Sequence, residues 1–249
     1  MIQLKSLEEI AIMRRGGERL RKVASTLKSE IREGMMTEDI DKRAKDLLKS
    51  YQGEPSFTKV KGYKWATCLP INEQVVHTPP SKRKLKNGDV LTLDIGMYHG
   101  GFHTDYADTF IVGASTDPKV NKFLEVGKNC LSKATSEFKI GNYVGQISKV
   151  IDDSIHGSGY FILRELTGHG IGRKLHEDPF IPGYLDRPVR ETPKIQSGLV
   201  VAIEIIYSMG TEKIVYEADG WSIKTADERL SACFEHTVTA TKNGPLILT

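Results

Sequence analysis

The chain has 249 residues, of which 39% are hydrophobic and 27% are charged, and its formal net charge is +3. This length supports one large domain or two small ones with a substantial core, and so small a charge over the whole chain does not indicate nucleic-acid binding. No run of about 18 apolar residues occurs and no long apolar run opens the chain, so we expect neither a membrane span nor a signal peptide.

The three cysteines, Cys68, Cys130 and Cys233, are odd in number and never spaced as Cys-x-x-Cys. They indicate neither a disulfide framework nor a zinc knuckle, and a reducing compartment is the expectation. We therefore predict a soluble, cytoplasmic protein.

Two helices are predicted at the start of the chain. Ser6 and Glu9 form a capping-box pattern, which is typical of a helix N-terminus. Apolar residues then recur at helical spacing, and Gly34 is the expected end of this helix. Thr37 begins the second helix, which we expect to end around residues 51–53.

Irregular strands and loops are predicted for residues 54–76, which are rich in proline, aromatic and β-branched residues. His77 follows, just before a Pro-Pro pair that excludes helix. The basic residues 82–86 are interpreted as a solvated turn, with a contact to RNA or the ribosome as the alternative.

Two acids are next carried towards the interior. Residues 90–93 are apolar or β-branched and follow an Asn-Gly turn signal, so they predict a buried strand that delivers Asp94. A hairpin at Gly100 and Gly101 returns the chain and delivers Asp105. Buried ionised carboxylates are costly, so a neighbouring pair requires a proton or a cation.

The second half of the chain repeats this arrangement. Helices are predicted from Pro118 and after Gly141, and residues 197–204 then repeat the glycine-to-acid spacing and end at Glu204. A later strand carries Glu235. We predict a single catalytic domain, residues 1–249, built from two pseudo-symmetric halves, about 1–115 and 116–249, with the acids converging at the centre.

A histidine among glycines completes the set. His169 lies in the segment Gly168–Gly172, which is not a dinucleotide fingerprint because Arg173 stands where the third glycine should be. His176 follows seven residues later. One histidine and four carboxylates make an oxygen-rich ligand set, which favours two clustered divalent ions, Mn²⁺, Fe²⁺, Co²⁺ or Zn²⁺, over one structural zinc.

The chain resembles the type I methionine aminopeptidases along nearly its whole length. The segments that carry the resemblance are Ile71–His77, Gly101–Asp105, Thr167–Gly172, Asp219–Trp221 and Ser231–Thr237. It implies the α+β pita-bread fold, with a central curved antiparallel sheet covered by helices.

The same resemblance implies roles for particular residues. Asp94 would be a bidentate ligand of one metal, Asp105 and Glu235 would bridge two ions, and His169 and Glu204 would complete the second site. Asp108 is the rival of Asp105, and the Gly-Phe-His-Thr-Asp match assigns the role to Asp105. The implied catalytic residues are His77, His176 and Glu204.

A pocket for the methionine side chain is also implied. Tyr63, Cys68 and Trp221 match pocket-lining residues of the family, and Phe57 is expected to join them. Leu175 stands where the family usually has an aromatic residue and Ile205 where it usually has proline. We expect both departures to bear on the shape of the pocket.

The activity implied is removal of the initiator methionine from nascent proteins and peptides whose second residue is small. The implied protein is a monomer that contacts the ribosome only transiently and binds neither DNA nor membrane. An Xaa-Pro aminopeptidase or prolidase is the alternative, although those enzymes usually carry a separate N-terminal domain. A metal-free binding protein of this fold would have lost ligands, and a redox or nucleotide-binding domain would need a cysteine pair or a phosphate loop.

Overall fold

The structure, a computed structural model, describes residues 1–114 and 117–249. The helices in these ranges are α1 Leu7–Glu30, α2 Thr37–Ser50, α3 Pro118–Ser136 and α4 Val144–His156, with short 3-10 helices at Phe57–Lys59 and Val189–Glu191. The strands are β1 Glu54–Pro55, β2 Thr67–Cys68, β3 Gln74–Val76, β4 Val90–His99, β5 Phe102–Ile111, β6 Phe161–Ile162, β7 Thr167–Gly170, β8 Glu177–Pro182, β9 Val200–Ser208, β10 Ile214–Tyr216, β11 Ile223–Thr225, β12 Ser231–Thr241 and β13 Gly244–Ile247.

One large antiparallel sheet organises the molecule. Its strand order is β1-β4-β5-β12-β9-β7-β8, with β2 beside β4, β6 beside β9 and β13 beside β12. In a small second sheet, β10-β11-β3, strand β3 ends one residue before His77 and strand β11 begins two residues after Trp221. The strands of the two predicted halves thus meet where β5 pairs with β12.

The starts of the helices follow the local sequence. Ser6 caps α1 and Glu9 completes the predicted capping box, and Asp117 caps α3 through the N–H of Lys119. The predicted end of α1 at Gly34 is wrong, because the helix ends at Glu30. Gly34 instead has a φ of +84° in the following turn, where its N–H donates to the carbonyl of Leu85.

The predicted carboxylate hairpin is confirmed. Strands β4 and β5 pair along their whole length, and Gly100 and Gly101 have φ angles of +59° and +90° in the turn between them. These left-handed conformations favour glycine, which lacks the Cβ that makes them costly. The tight turn sets the register that places Gly96 opposite Asp105.

Helices cover the sheet over two apolar clusters. One cluster joins α3 and α4 to β9 and β12 around Phe123, Ile203 and Phe234. The other joins α1 and α2 to β4 around Leu20 and Leu93. Burying each side chain of this size stabilises the fold by roughly 1.5–3 kcal/mol relative to leaving it exposed. The packed helices therefore stabilise both halves of the sheet.

The order of elements, two helices followed by strands, occurs twice along the chain. This order is consistent with the two predicted halves, whose duplication stays a prediction. Their expected midpoint, between residues 115 and 116, lies outside the described residues. Within the described residues, no helix is both long enough and apolar enough to cross a membrane.

Candidate metal centre

Five neighbouring strands each carry one of the predicted ligands. In sheet order they are Asp94 on β4, Asp105 on β5, Glu235 on β12, Glu204 on β9 and His169 on β7. Glu235 and Glu204 are directly opposed in the β12–β9 pairing. The sheet therefore gathers residues that are up to 141 positions apart in the chain into one row across its centre.

The ligand atoms of three of these residues converge closely. One atom each from Asp105, His169 and Glu235 lie within 4.8 Å of one another, and all three residues are buried. Glu204 joins them, with its Oε1 3.3 Å from His169 Nε2. Asp94 lines the same cavity as these four residues.

Within the described part of the chain, burial and neighbouring acids raise the pKa values of the four acids, and no basic side chain is among the causes of these shifts. Burial raises the pKa of Asp105 to about 7. Burial, and then the charges of neighbouring acids, raise the pKa values of Asp94, Glu204 and Glu235 well above their usual range. Carboxyl groups shifted in this way require protons or cations.

Two further observations test whether a metal fits. Glu235 Oε1 is buried and has no hydrogen-bond partner among the described residues. His169 Nδ1 lies 2.8 Å from the carbonyl oxygen of Gly170, and since a carbonyl only accepts, Nδ1 carries the hydrogen and Nε2 presents its lone pair to Glu204. Burial lowers the pKa of His169 to about 3, so the ring is neutral. When Glu204 is ionised, its carboxylate and the Nε2 lone pair are two acceptors facing each other, an arrangement that fits a cation between them.

Hydrogen bonds hold Asp105 in place at the seam between β5 and β12. The backbone N–H of Asp105 donates to Thr237 Oγ1 at 2.8 Å, and the same hydroxyl donates to the carbonyl of Asp105 at 2.9 Å. Asp108, the rival acid, pairs instead with Lys28 and borders a different cavity. The structure thus brings Asp105, and not Asp108, to the row of acids.

The other two histidines predicted to act in the site, His77 and His176, lie at the rim of the same cavity. The His176 ring is edge-on to His169, with ring centroids 4.4 Å apart. His77 lines the same cavity and has a φ of +58°. A left-handed conformation in a residue other than glycine is strained, and such strain is found preferentially at functional sites.

An aromatic wall closes one side of a cavity of about 440 Å³. Tyr63 lies at its centre, edge-on to Trp221, Trp65 and Phe57, with centroid distances of 5.0, 5.2 and 6.4 Å. Its hydroxyl donates to the carbonyl of Thr67 at 2.8 Å and lies 3.2 Å from Cys68 Sγ. The predicted pocket residues therefore form one continuous apolar surface beside the acids.

Leu175 and Ile205, the two residues that differ from the usual family pattern, lie in different places relative to the cavity. Leu175 is buried and lines the cavity, packed in the same cluster as Phe57 and Tyr63. The expectation for Ile205 is wrong, because its side chain lies in the core with Phe234 and does not line the cavity. Alternation along β9 explains this, since neighbours of Glu204 point to the opposite face.

Some cavity residues were missed by the sequence analysis. Leu166, Ile206 and Phe180 line the cavity, and Phe180 is exposed at its mouth. Ile206 was within reach of prediction, because it lies two residues from Glu204 on the same strand and shares its face. Leu166 and Phe180 belong to short segments whose orientation no local pattern signals.

The chain is similar to known metallopeptidases over nearly its whole length. Residues 11–242 match the family model of metallopeptidase family M24. Methionine aminopeptidases of Clostridium perfringens and Borreliella burgdorferi are 37% and 38% identical, over 100% and 99% of this chain and 99% and 98% of theirs. The crystal structure of methionine aminopeptidase from Thermotoga maritima superposes with a TM-score of 0.96 at 35% identity, covering 100% of this chain and 99% of that one.

The chain belongs to the methionine aminopeptidases of metallopeptidase family M24. The predicted α+β pita-bread fold is confirmed by this comparison. Membership of a metallopeptidase family implies the use of divalent metal, which the chemistry of the five side chains accommodates. A prolidase from Pyrococcus furiosus shares the fold with a TM-score of 0.78 at 23% identity, and this chain spans 65% of it. The family assignment favours the aminopeptidase over that alternative.

Proposed function

We propose that this methionine aminopeptidase removes the initiator methionine from nascent proteins and peptides whose second residue is small. The observation that carries the proposal is the row of four carboxylates and one histidine beside an aromatic pocket in a single cavity. The relatives' names support methionine as the residue removed. The pocket suits that side chain, because a thioether packs favourably against aromatic edges.

We assign two divalent ions to the row of acids. Asp94 would hold one ion, His169 and Glu204 the other, and Asp105 and Glu235 would bridge them. Such a pair supplies polarisation of the scissile carbonyl and activation of water. The oxygen-rich donor set suits Mn²⁺, Fe²⁺, Co²⁺ or Zn²⁺.

The remaining steps belong to side chains of this chain. His77 and His176 lie at the rim, where a substrate's first peptide bond would pass. His77 hydrogen-bonds the scissile amide nitrogen, and His176 donates to the carbonyl oxygen as negative charge develops there. Glu204, which lines the cavity and whose Oε1 lies 3.3 Å from His169 Nε2, moves a proton to the leaving amine.

Peptide turnover tests this proposal directly. Metal-stripped protein, reloaded separately with each of the four metals, should release methionine from Met-Ala-Ser and leave Gly-Pro peptides intact. Release of glycine from Gly-Pro at a higher rate would favour the prolidase alternative. An absence of turnover with all four metals would contradict the proposal.

The cellular setting extends the same proposal. A monomer in the cytoplasm, with transient access to the ribosome, would meet nascent chains as their N-termini emerge. Size-exclusion chromatography with light scattering tests the monomer, and co-sedimentation with ribosomes at low and moderate salt tests the contact.

A further inference from the structure

A buried ion pair joins the N-terminal segment to the loop that carries His176. Lys5 Nζ lies 2.5 Å from Glu177 Oε2, and the two side chains are 0% and 2% exposed. Lys5 Nζ also donates to the carbonyl of Gln3 at 2.9 Å. Glu177 follows His176 directly in the chain. A fully buried lysine is rare unless it is paired, and here the partner is 172 residues away.

The loop is shaped around this lysine. A Cβ on Gly172 would lie 2.2 Å from Lys5 Cε, so glycine at that position leaves the space that the lysine stem fills. Glu177 Oε1 accepts the backbone N–H of Lys174 at 3.0 Å. The N–H of Gly172 donates to the carbonyl of Lys174 at 3.0 Å. The carboxylate therefore bonds both the lysine and the backbone of the loop.

The N-terminal segment is itself fixed to the turn that precedes β9. The N–H of Lys5 donates to the carbonyl of Gly198 at 2.7 Å. Two more ion pairs flank the buried one, between the Met1 amine and Asp178 and between Glu9 and Arg173. Residues 1, 5 and 9 thus contact residues 178, 177 and 173 in turn, which we call the N-terminal clasp.

We infer that the N-terminal clasp, through Lys5 and Glu177, is a positioning device that holds His176 against His169 for catalysis. The inference rests on the proposed function, because it assigns His176 a part in the reaction. A displacement of about 1 Å at a catalytic group can cost about a hundredfold in rate. An ion pair with two backbone anchors restricts such displacement without touching the substrate.

The test compares single and double variants. Lys5→Met leaves Glu177 buried without its cation and also lowers stability, whereas the double variant K5M/E177M removes both charges, together with the acceptor of the Lys174 N–H, and puts an apolar contact in place of the ion pair. Its matched control is R43M/E30M, which removes a surface ion pair between α1 and α2. For each protein we would measure the melting temperature, metal content, kcat, KM and amide hydrogen exchange of residues 172–176.

A positioning role and a purely structural role give different results. In the double variant, positioning predicts a melting temperature close to wild type, faster exchange at residues 172–176, and kcat lower by about tenfold or more with little change in KM. In a His176→Ala background the same double change should cost little further kcat, since its effect acts through that ring. The control should match wild type in all respects.

The inference is overturned if K5M/E177M keeps wild-type kcat and exchange, or if its loss is the same with and without His176. Failure of the proposed function looks different. A wild-type protein that does not cleave methionyl peptides would remove the kinetic readout. The exchange of residues 172–176 would still report whether Lys5 and Glu177 hold the loop.

Discussion

At the scale of single residues, the centre depends on where each acid points. Asp105 and Asp108 lie three positions apart on β5, yet Asp105 joins the row of acids and Asp108 pairs with Lys28 on the other side. Strand alternation separates them, because residues an odd number apart face opposite sides of a sheet. The pair offers a matched comparison.

Asp105→Asn should abolish peptide turnover and tight metal binding, because it removes one negative charge between the two proposed ion positions. Asp108→Asn should retain both properties. Metal content after dialysis and turnover of Met-Ala-Ser provide the measurements. Turnover close to wild type in the Asp105 variant would remove the assigned bridging role.

The stability of the metal-free protein should decrease as the pH rises. In the unfolded chain carboxyl groups ionise near pH 4, whereas burial raises the pKa of Asp105 to about 7 and those of the other three acids well above their usual range. Between these values the folded state binds protons that the unfolded state has released, so the free energy of unfolding falls with increasing pH.

Melting temperatures from about pH 5 to about pH 8, with chelator and with Mn²⁺, measure this effect. Metal binds the ionised carboxylates, so the metal-loaded protein should lose much less stability over that range. Equal slopes with and without metal would show that the acids carry no uncompensated charge in the fold.

Among the elements, the pairing of β5 with β12 holds the two sides of the site together. It brings together Asp105 and Glu235, one from each predicted half, and Thr237 links the two strands by two hydrogen bonds. Thr239 lies two residues further along β12 and donates to Leu199 in an equally buried position. Comparing variants of the two threonines therefore distinguishes a general loss of stability from a specific effect on metal binding.

Thr237→Val should lower the free energy of unfolding by about 1–3 kcal/mol and weaken metal binding by about 10- to 100-fold. Thr239→Val should have a comparable effect on stability and leave metal affinity unchanged. Chemical denaturation and competitive metal titration measure the two quantities. Equal metal affinities in the two variants would assign Thr237 a structural role only.

The elements also show which features could be predicted from the sequence. The cap of α1 and the β4–β5 hairpin follow from signals within a few residues, Ser6 with Glu9 and the pair Gly100–Gly101. The end of α1 was mispredicted because Gly34 serves a turn bonded to distant Leu85. The buried pair of Lys5 and Glu177 could not be predicted, because the sequence around each residue contains no signal for a partner 172 residues away.

At the scale of the whole molecule, the fold converts two separated stretches of sequence into one centre. Helices α1 to α4 cover the sheet and leave its central strands to present one predicted ligand residue each. The chemical need for a cation could be read from the acids alone, since buried carboxylates repel. Their convergence was predicted from the repeated glycine-to-acid spacing, whereas the strand order β4-β5-β12-β9-β7 that produces it could not be read from local patterns.

Metal should stabilise the whole molecule against unfolding, because the ions bind the row of acids in the folded protein and the unfolded chain does not bring these acids together. Saturation at about a thousand times the dissociation constant corresponds to about 4 kcal/mol for one site. We expect added Co²⁺ or Mn²⁺ to raise the melting temperature of the wild-type protein and to leave that of Asp105→Asn unchanged. An equal rise in both proteins would indicate binding elsewhere.

The row of acids is proposed to hold a pair of cations. The most direct measurement is anomalous scattering from crystals soaked in cobalt or manganese. We predict two peaks roughly 3.5–4 Å apart, lying between the carboxylates of Asp105 and Glu235. A difference map without density between those two side chains would rule out a pair of cations at this site.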